Sequence, residues 1–167
     1  RTITDIEIVG ELERGTLQEV EVSFGDVLVT DQVVGFVRKL VSTNEVVDEE
    51  ALALPPQRLE TRSLWFTITP KVVAKAAITP RQLAGAIHAA EHAAIGLMPL
   101  IATCDRWDLG GVSTPLHQDT GLTTIFIHDA YPGGAGISER GFRHIERLLG
   151  ATLETIRQCP CSLGCPS

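Results

Sequence analysis

The sequence predicts an α+β domain, and three observations carry that prediction. β-Branched residues crowd the first 70 positions, Thr79-Pro80 opens a long Ala-rich stretch, and helical periodicity returns near residue 138. The expected layout is a β-rich N-terminal half over residues 1–78, then a helical C-terminal half over 79–167 holding a short strand.

Taken in order, Ile3–Val9, Glu19–Phe24, Val27–Val29 and Val33–Val41 read as strands. Glu19-Val20-Glu21-Val22 alternates as a half-buried strand does. Gly25-Asp26 predicts a tight hairpin turn between the second and third of these. Asn44–Pro56 is acidic, ends in Pro-Pro and reads as a loop, and Ser63–Thr69 as another strand. Thr79 is a hydroxyl N-cap followed by Pro at the first helical position. That helix is expected to reach about Met98, stop before Pro99 and be largely buried by its Ala-rich faces. Cys104–Thr114 reads as a loop turning at Gly110-Gly111, and Thr123–Ile127 as a short strand. Tyr131–Gly136 is a glycine-rich turn. Ser138 then caps a last helix to about Gln158, with Phe142, Ile145, Leu149, Leu153 and Ile156 as its apolar stripe.

Composition narrows the function classes. The chain has 167 residues, 44% hydrophobic and 21% charged, with a formal net charge of −7. That excludes a disordered acidic tail or a collagen-like repeat and disfavours a free-standing, charge-driven nucleic-acid binder. The longest apolar run, Ala93–Cys104, is broken by Pro99 and falls short of the roughly 20 residues a bilayer-spanning helix needs. The start on Arg1 and the stop at Ser167 suggest an excised piece of an intracellular, cytoplasmic protein with no membrane partner. In that setting clustered cysteines favour metal over disulfides.

Four constellations are candidates for chemistry. Cys159, Cys161 and Cys165 lie within the last nine residues, and thiolates at such spacing, among Gly and Pro, suit Zn²⁺. Three thiols do not close a structural site, so a fourth ligand comes from Cys104, from a His or from beyond Ser167. His88-x-x-Glu91-His92 places two imidazoles one helical turn apart. It matches an inverted zinc-protease signature, so a metallohydrolase is the alternative function. Helical geometry instead puts Glu91 on the apolar face, as a partly buried carboxylate satisfied by His or Arg. The Tyr131–Gly136 turn is read as structural, with anion binding by its N–H groups as the rival. Arg140, Arg143 and Arg147 form a basic face, either solvated or in contact with a DNA backbone.

The stretch from His88-Ala-Ala-Glu91-His92, through CDRWDLGGVSTPLH and IFIHDAYPGGAGISERGF, to CPCSLGCPS resembles the MrfA-type zinc-binding (MZB) domain. That domain lies at the C-terminus of MrfA- and Hrq-like superfamily 2 DEAD/DEAH-box helicases. The resemblance covers about residues 79–167. It implies one zinc held by a C-x-C-x3-C-x2-C pattern, in which Cys159, Cys161 and Cys165 fill three positions and residue 168 would fill the fourth. His128 departs from it, since family members often carry Tyr there. The resemblance further implies a zinc-binding-type accessory domain of an ATP-dependent DNA helicase in DNA repair, structural and strand-guiding. The ATPase motor would lie upstream, leaving this chain without ATPase activity of its own.

Overall fold

Strand β1 (Thr2–Leu17) and strand β2 (Val20–Val33) form a long antiparallel hairpin that turns at Gln18-Glu19, where Gln18 takes a positive φ of 56°. The computed structural model describes residues 1–162. Gly25-Asp26 is therefore not a turn: β2 runs straight through it. Gly25 lies between two β-bulges of β1, and a Cβ there would overlap the Gly10 carbonyl oxygen. Glycine at this position answers a close backbone approach rather than a reversal of the chain.

A short hairpin follows, β3 (Gly35–Lys39) paired with β4 (Val46–Ala51). The stretch expected as an acidic loop thus contains a strand. β4 is exposed throughout, so no burial pattern marks it in the sequence. β5 (Gln57–Ile68) then returns to the main sheet, followed by the short helix α1 (Pro70–Lys75) and by α2 (Pro80–Leu97). The Thr79 backbone N–H donates to Gln82 Oε1 at 3.1 Å, one arm of a capping box that sets the start of α2. Only one face of α2 is buried, through Ile87, Glu91, Ala94 and Ile95. The helix is not covered on several sides as its alanines suggested. It packs on the sheet and on the last helix of the chain, while Ala84, Ala86 and Ala89 face outward.

β6 (Leu109–Thr114) and β7 (Thr123–Asp129) complete a five-stranded antiparallel sheet in the order β1-β2-β5-β7-β6. The fold is α+β. Its C-terminal half contributes two strands, and β5 pairs directly with β7, so one sheet draws on both halves of the chain. Gly110-Gly111, expected at a turn, lies inside β6. A Cβ on Gly110 would overlap the His128 ring, and one on Gly111 would stand 2.6 Å from Glu91 Oε1. Each glycine makes room for a side chain on its own face of the sheet.

Those two faces carry two cores. On one, Val22, Leu64, Phe66, Ile125 and Ile127 pack against α2, Met98, Ile137 and Leu148. On the other, Ile6, Val27, Val29, Trp65 and Phe126 cluster within the curl of the sheet. The buried His117, in the loop after β6, closes that curl. Its Nε2 lies 2.9 Å from the Ile6 carbonyl oxygen, and its ring sits 4.7 Å from that of Phe126. Asp119 adds a second tie by accepting from the Ile8 N–H at 2.9 Å.

The last helical stretch is two helices, α3 (Ile137–Arg143) and α4 (Ile145–Gln158), separated at His144. Ser138 is not the cap; Gly136 precedes α3, and the Ser138 hydroxyl is buried without a hydrogen-bond partner among the described residues. The break also shifts the apolar stripe. Leu148 and Thr152 are buried, whereas Leu153 and Ile156 stay about half exposed. α3 sits close on the sheet because Gly141 lets Leu64 and Met98 approach it, a Cβ there standing 2.7 Å from Leu64 Cδ2.

The turn before α3 is held by the fully buried Asp129. Its carboxylate accepts from the N–H groups of Ala135 (2.5 Å), Gly136 (2.8 Å), Ile137 (3.3 Å) and Ser138 (2.7 Å). Gly133, Gly134 and Gly136 supply the positive φ angles that aim these donors inward. The anion in this cradle is the chain's own carboxylate, which leaves these N–H groups committed before any external phosphate arrives.

The end of β7 can be probed in two ways. Asp129→Asn replaces a charged acceptor of four N–H groups by an amide with a single acceptor oxygen and an NH₂ group aimed at donors. We expect a loss of about 3 kcal/mol in urea unfolding, with the native fold retained; a change below about 0.5 kcal/mol would remove Asp129 from its organising role. Burial also pushes the His128 imidazole below its ordinary pKa, outweighing the Asp129 carbonyl at 3.1 Å and the nearby carboxylates that raise it. Above a pH of about 6.5 the folded and unfolded chains are both neutral here. Below it, the unfolded chain takes up a proton that the folded chain resists, so stability falls as pH falls. The urea midpoint should drop between pH 7 and pH 5, and His128→Gln should drop less; parallel slopes would refute this.

Candidate metal-binding and nucleic-acid-facing sites

α2 brings His88, Glu91 and His92 together at the helix–sheet junction. The two imidazoles are one turn apart and exposed, in edge-to-face contact with ring centroids at 4.4 Å. Glu91 lies between them and β6 and is only 4% exposed. Its Oε2 accepts from Ser113 Oγ of β6 at 2.5 Å and lies 3.2 Å from His88 Nδ1. The carboxylate is thus satisfied by a His, as its helical position suggested, and by a serine that no motif in the sequence marks. Among the described residues no arginine or lysine pairs with it, because Glu91 meets β6 rather than the Arg81 end of its own helix. One candidate ligand atom from each of the three residues lies within 4.8 Å of the other two, so the group has the reach to hold an ion. A hydrolase would need Glu91 as a base facing a water. Here the carboxylate is turned into the junction with β6.

The cysteine cluster begins where α4 ends. Cys159 directly follows Gln158 and is partly buried; Cys161, two residues on, is exposed. Cys165 lies outside the described residues. Soft thiol donors two positions apart on a non-helical segment suit a tetrahedral zinc, so the donor chemistry fits. Cys104 has a different setting. It packs against the helix-side core, and burial, then Asp108, Asp105 and Asp129, push its thiol pKa up. That environment favours the neutral thiol over the thiolate a metal needs.

The three arginines are all exposed but differ in their partners. Arg140 is tied to the chain before β6, its Nε donating to the Ile101 carbonyl oxygen at 3.2 Å. Arg143 makes a bidentate ion pair with Glu13 at the β1 bulge and approaches Glu139 at 3.5 Å. Arg147, beyond the break at His144, is exposed and makes no ion pair among the described residues. Arg143, His144 and Arg147 share the rim of an open groove of about 560 Å³, whose other wall is Gly15–Leu17 at the tip of the β1–β2 hairpin. A single continuous helix would have kept the three side chains in register.

Comparison with known proteins places this geometry in a family. Residues 90–167 match the MrfA Zn-binding domain (MZB). The chain is 33% identical over 145 residues to a Bacillus subtilis protein named as the uncharacterized ATP-dependent helicase YprA, covering 86% of this chain and 19% of that one. It is 27% identical over 173 residues to the ATP-dependent helicase HRQ1 of Saccharomyces cerevisiae, covering 97% and 16%. A crystal structure of the DUF1998 helicase MrfA bound to DNA superposes on all of this chain and 22% of its own, with 28% identity and a TM-score of 0.78. The chain spans less than a fifth of the length of these two helicase relatives. Through residues 90–167 the chain belongs to the MrfA Zn-binding domain family, and along its length it is similar to MrfA- and Hrq1-like helicases.

Proposed function

We propose that this chain, residues 79–167 above all, is the zinc-binding accessory domain of an ATP-dependent DNA helicase that acts inside the cell in DNA repair. The observation that carries the reading is the whole-chain likeness to MrfA in its DNA-bound structure, together with the family match over residues 90–167. No helix among the described residues is long and apolar enough to cross a membrane. Zinc would be held by Cys159, Cys161 and Cys165, with the fourth ligand supplied past Ser167 in preference to the neutral Cys104. Bound there, zinc supplies a structural crosslink that pins the chain after α4. ATP hydrolysis belongs to motor domains elsewhere in the parent, and the part played here is to brace those domains and guide a DNA strand. Arg147, and Arg143 once released from Glu13, are the side chains placed to meet phosphates.

Metal content tests the first part. Zinc per chain should fall in Cys161→Ser, and an unchanged content would overturn the assignment. A chain extended beyond Ser167 should bind more zinc than the 167-residue form; equal content would point to Cys104 or a His as the fourth ligand. Salt dependence tests the second part. In the full-length parent, Arg143→Ala/Arg147→Ala should weaken DNA binding for all sequences alike. It should also flatten the plot of log K against log salt by about one unit for each phosphate no longer neutralised; an unchanged slope would exclude these arginines from the DNA path.

A further inference from the structure

We propose that His88, Glu91 and His92 form a second divalent-metal site on α2, separate from the cysteine cluster and of the borderline zinc or nickel class. Two imidazoles and one carboxylate are a donor set that such ions take, and solvent would fill the remaining positions because both imidazoles are exposed. The spacing suits it. Metal–ligand bonds of about 2.1 Å put neighbouring donors roughly 3.4 Å apart. The donor atoms here already lie within 4.8 Å of one another, and the two exposed rings are free to close the difference by side-chain rotation.

A second observation comes from charge. Glu91 is a carboxylate at 4% exposure whose partners are a neutral serine hydroxyl and His88, a group that carries a positive charge only when protonated. A buried carboxylate costs free energy unless opposite charge compensates it. An ion held with the imidazoles supplies that charge beside the carboxylate. Ser113 fixes the carboxylate from the sheet side, as outer partners commonly orient a metal ligand. Since Glu91 also lies against Gly111 and accepts from Ser113, an ion bound on α2 would hold the carboxylate in its place against β6. Its role would be structural rather than hydrolytic.

The test separates this site from the cysteines. A Cys159→Ser/Cys161→Ser/Cys165→Ser chain, with Cys104 kept, is titrated with zinc chloride by calorimetry. The expected result is one equivalent bound and a Tm rise of roughly 5–10 °C at a hundredfold excess over Kd. Both should be lost in the same chain with His88→Ala/His92→Ala, and affinity should fall at least about tenfold with Glu91→Gln. No binding, binding that survives the double His substitution, or unchanged affinity in Glu91→Gln would each overturn the proposal. If the cysteine-substituted chain fails to fold, imidazole ¹⁵N resonances are followed in the unsubstituted chain. Shifts of His88 and His92 on zinc addition support the site, and resonances that stay in place overturn it. The same shifts should persist in Cys161→Ser, and their loss there would assign these imidazoles to the cysteine zinc and overturn the proposal, so the two metal readings fail separately.

Discussion

The Asp129 carboxylate is the contact on which the C-terminal half depends. It sits at the end of a fully buried strand and gathers four consecutive backbone N–H groups that would otherwise lie unpaired at the start of α3. Because β7 is fixed between β5 and β6, this one side chain sets where α3 begins. From there Gly141 lets α3 approach Leu64, Phe142 stacks on Phe24 at 5.9 Å, and Leu148 enters the core. The position of α4, and with it of Cys159, follows from that chain of contacts.

The other sheet face is organised on the same principle, with a buried polar group joining segments far apart in sequence. His117 holds the β1 edge through the Ile6 carbonyl, and His128 fills the space left by Gly110. On the helix side, Glu91 meets Ser113 over Gly111. Each case pairs a side chain that needs a partner with a glycine or backbone group that makes room for it. Such matched pairs position secondary structure more narrowly than apolar contact, which is non-directional.

Much of this was legible in the sequence, and the gaps have physical causes. The α2 cap at Thr79 and its end before Pro99 are local steric and hydrogen-bonding facts, so they could be read directly. The cysteine cluster and the His88–Glu91–His92 spacing are equally local. Gly25-Asp26 and Gly110-Gly111 misled because glycine marks both turns and close approaches, and only the neighbouring strand distinguishes the two. β4 was missed because none of its residues is buried. The Arg140, Arg143 and Arg147 face was drawn on one unbroken helix, whereas the break at His144 divides it and Glu13 engages its central member.

The sequence by itself determined which segments extend, where the long helix is capped, and which thiols and imidazoles cluster, because these depend on residues a few positions apart. The tertiary structure alone decided that β5 pairs with β7, making one sheet of both halves, and that the glycine-rich turn closes on Asp129 instead of an outside anion. It also decided that Cys104 lies partly buried against the helix-side core, where its thiol pKa is pushed up, and that Glu91 is buried against β6. The β5–β7 pairing and the contact of Glu91 with Ser113 join residues far apart in the chain, 22 positions for the latter. Asp129 lies only 6 to 9 residues before the N–H groups it gathers, yet its aim at them is set by the packing of β7, which no local pattern records.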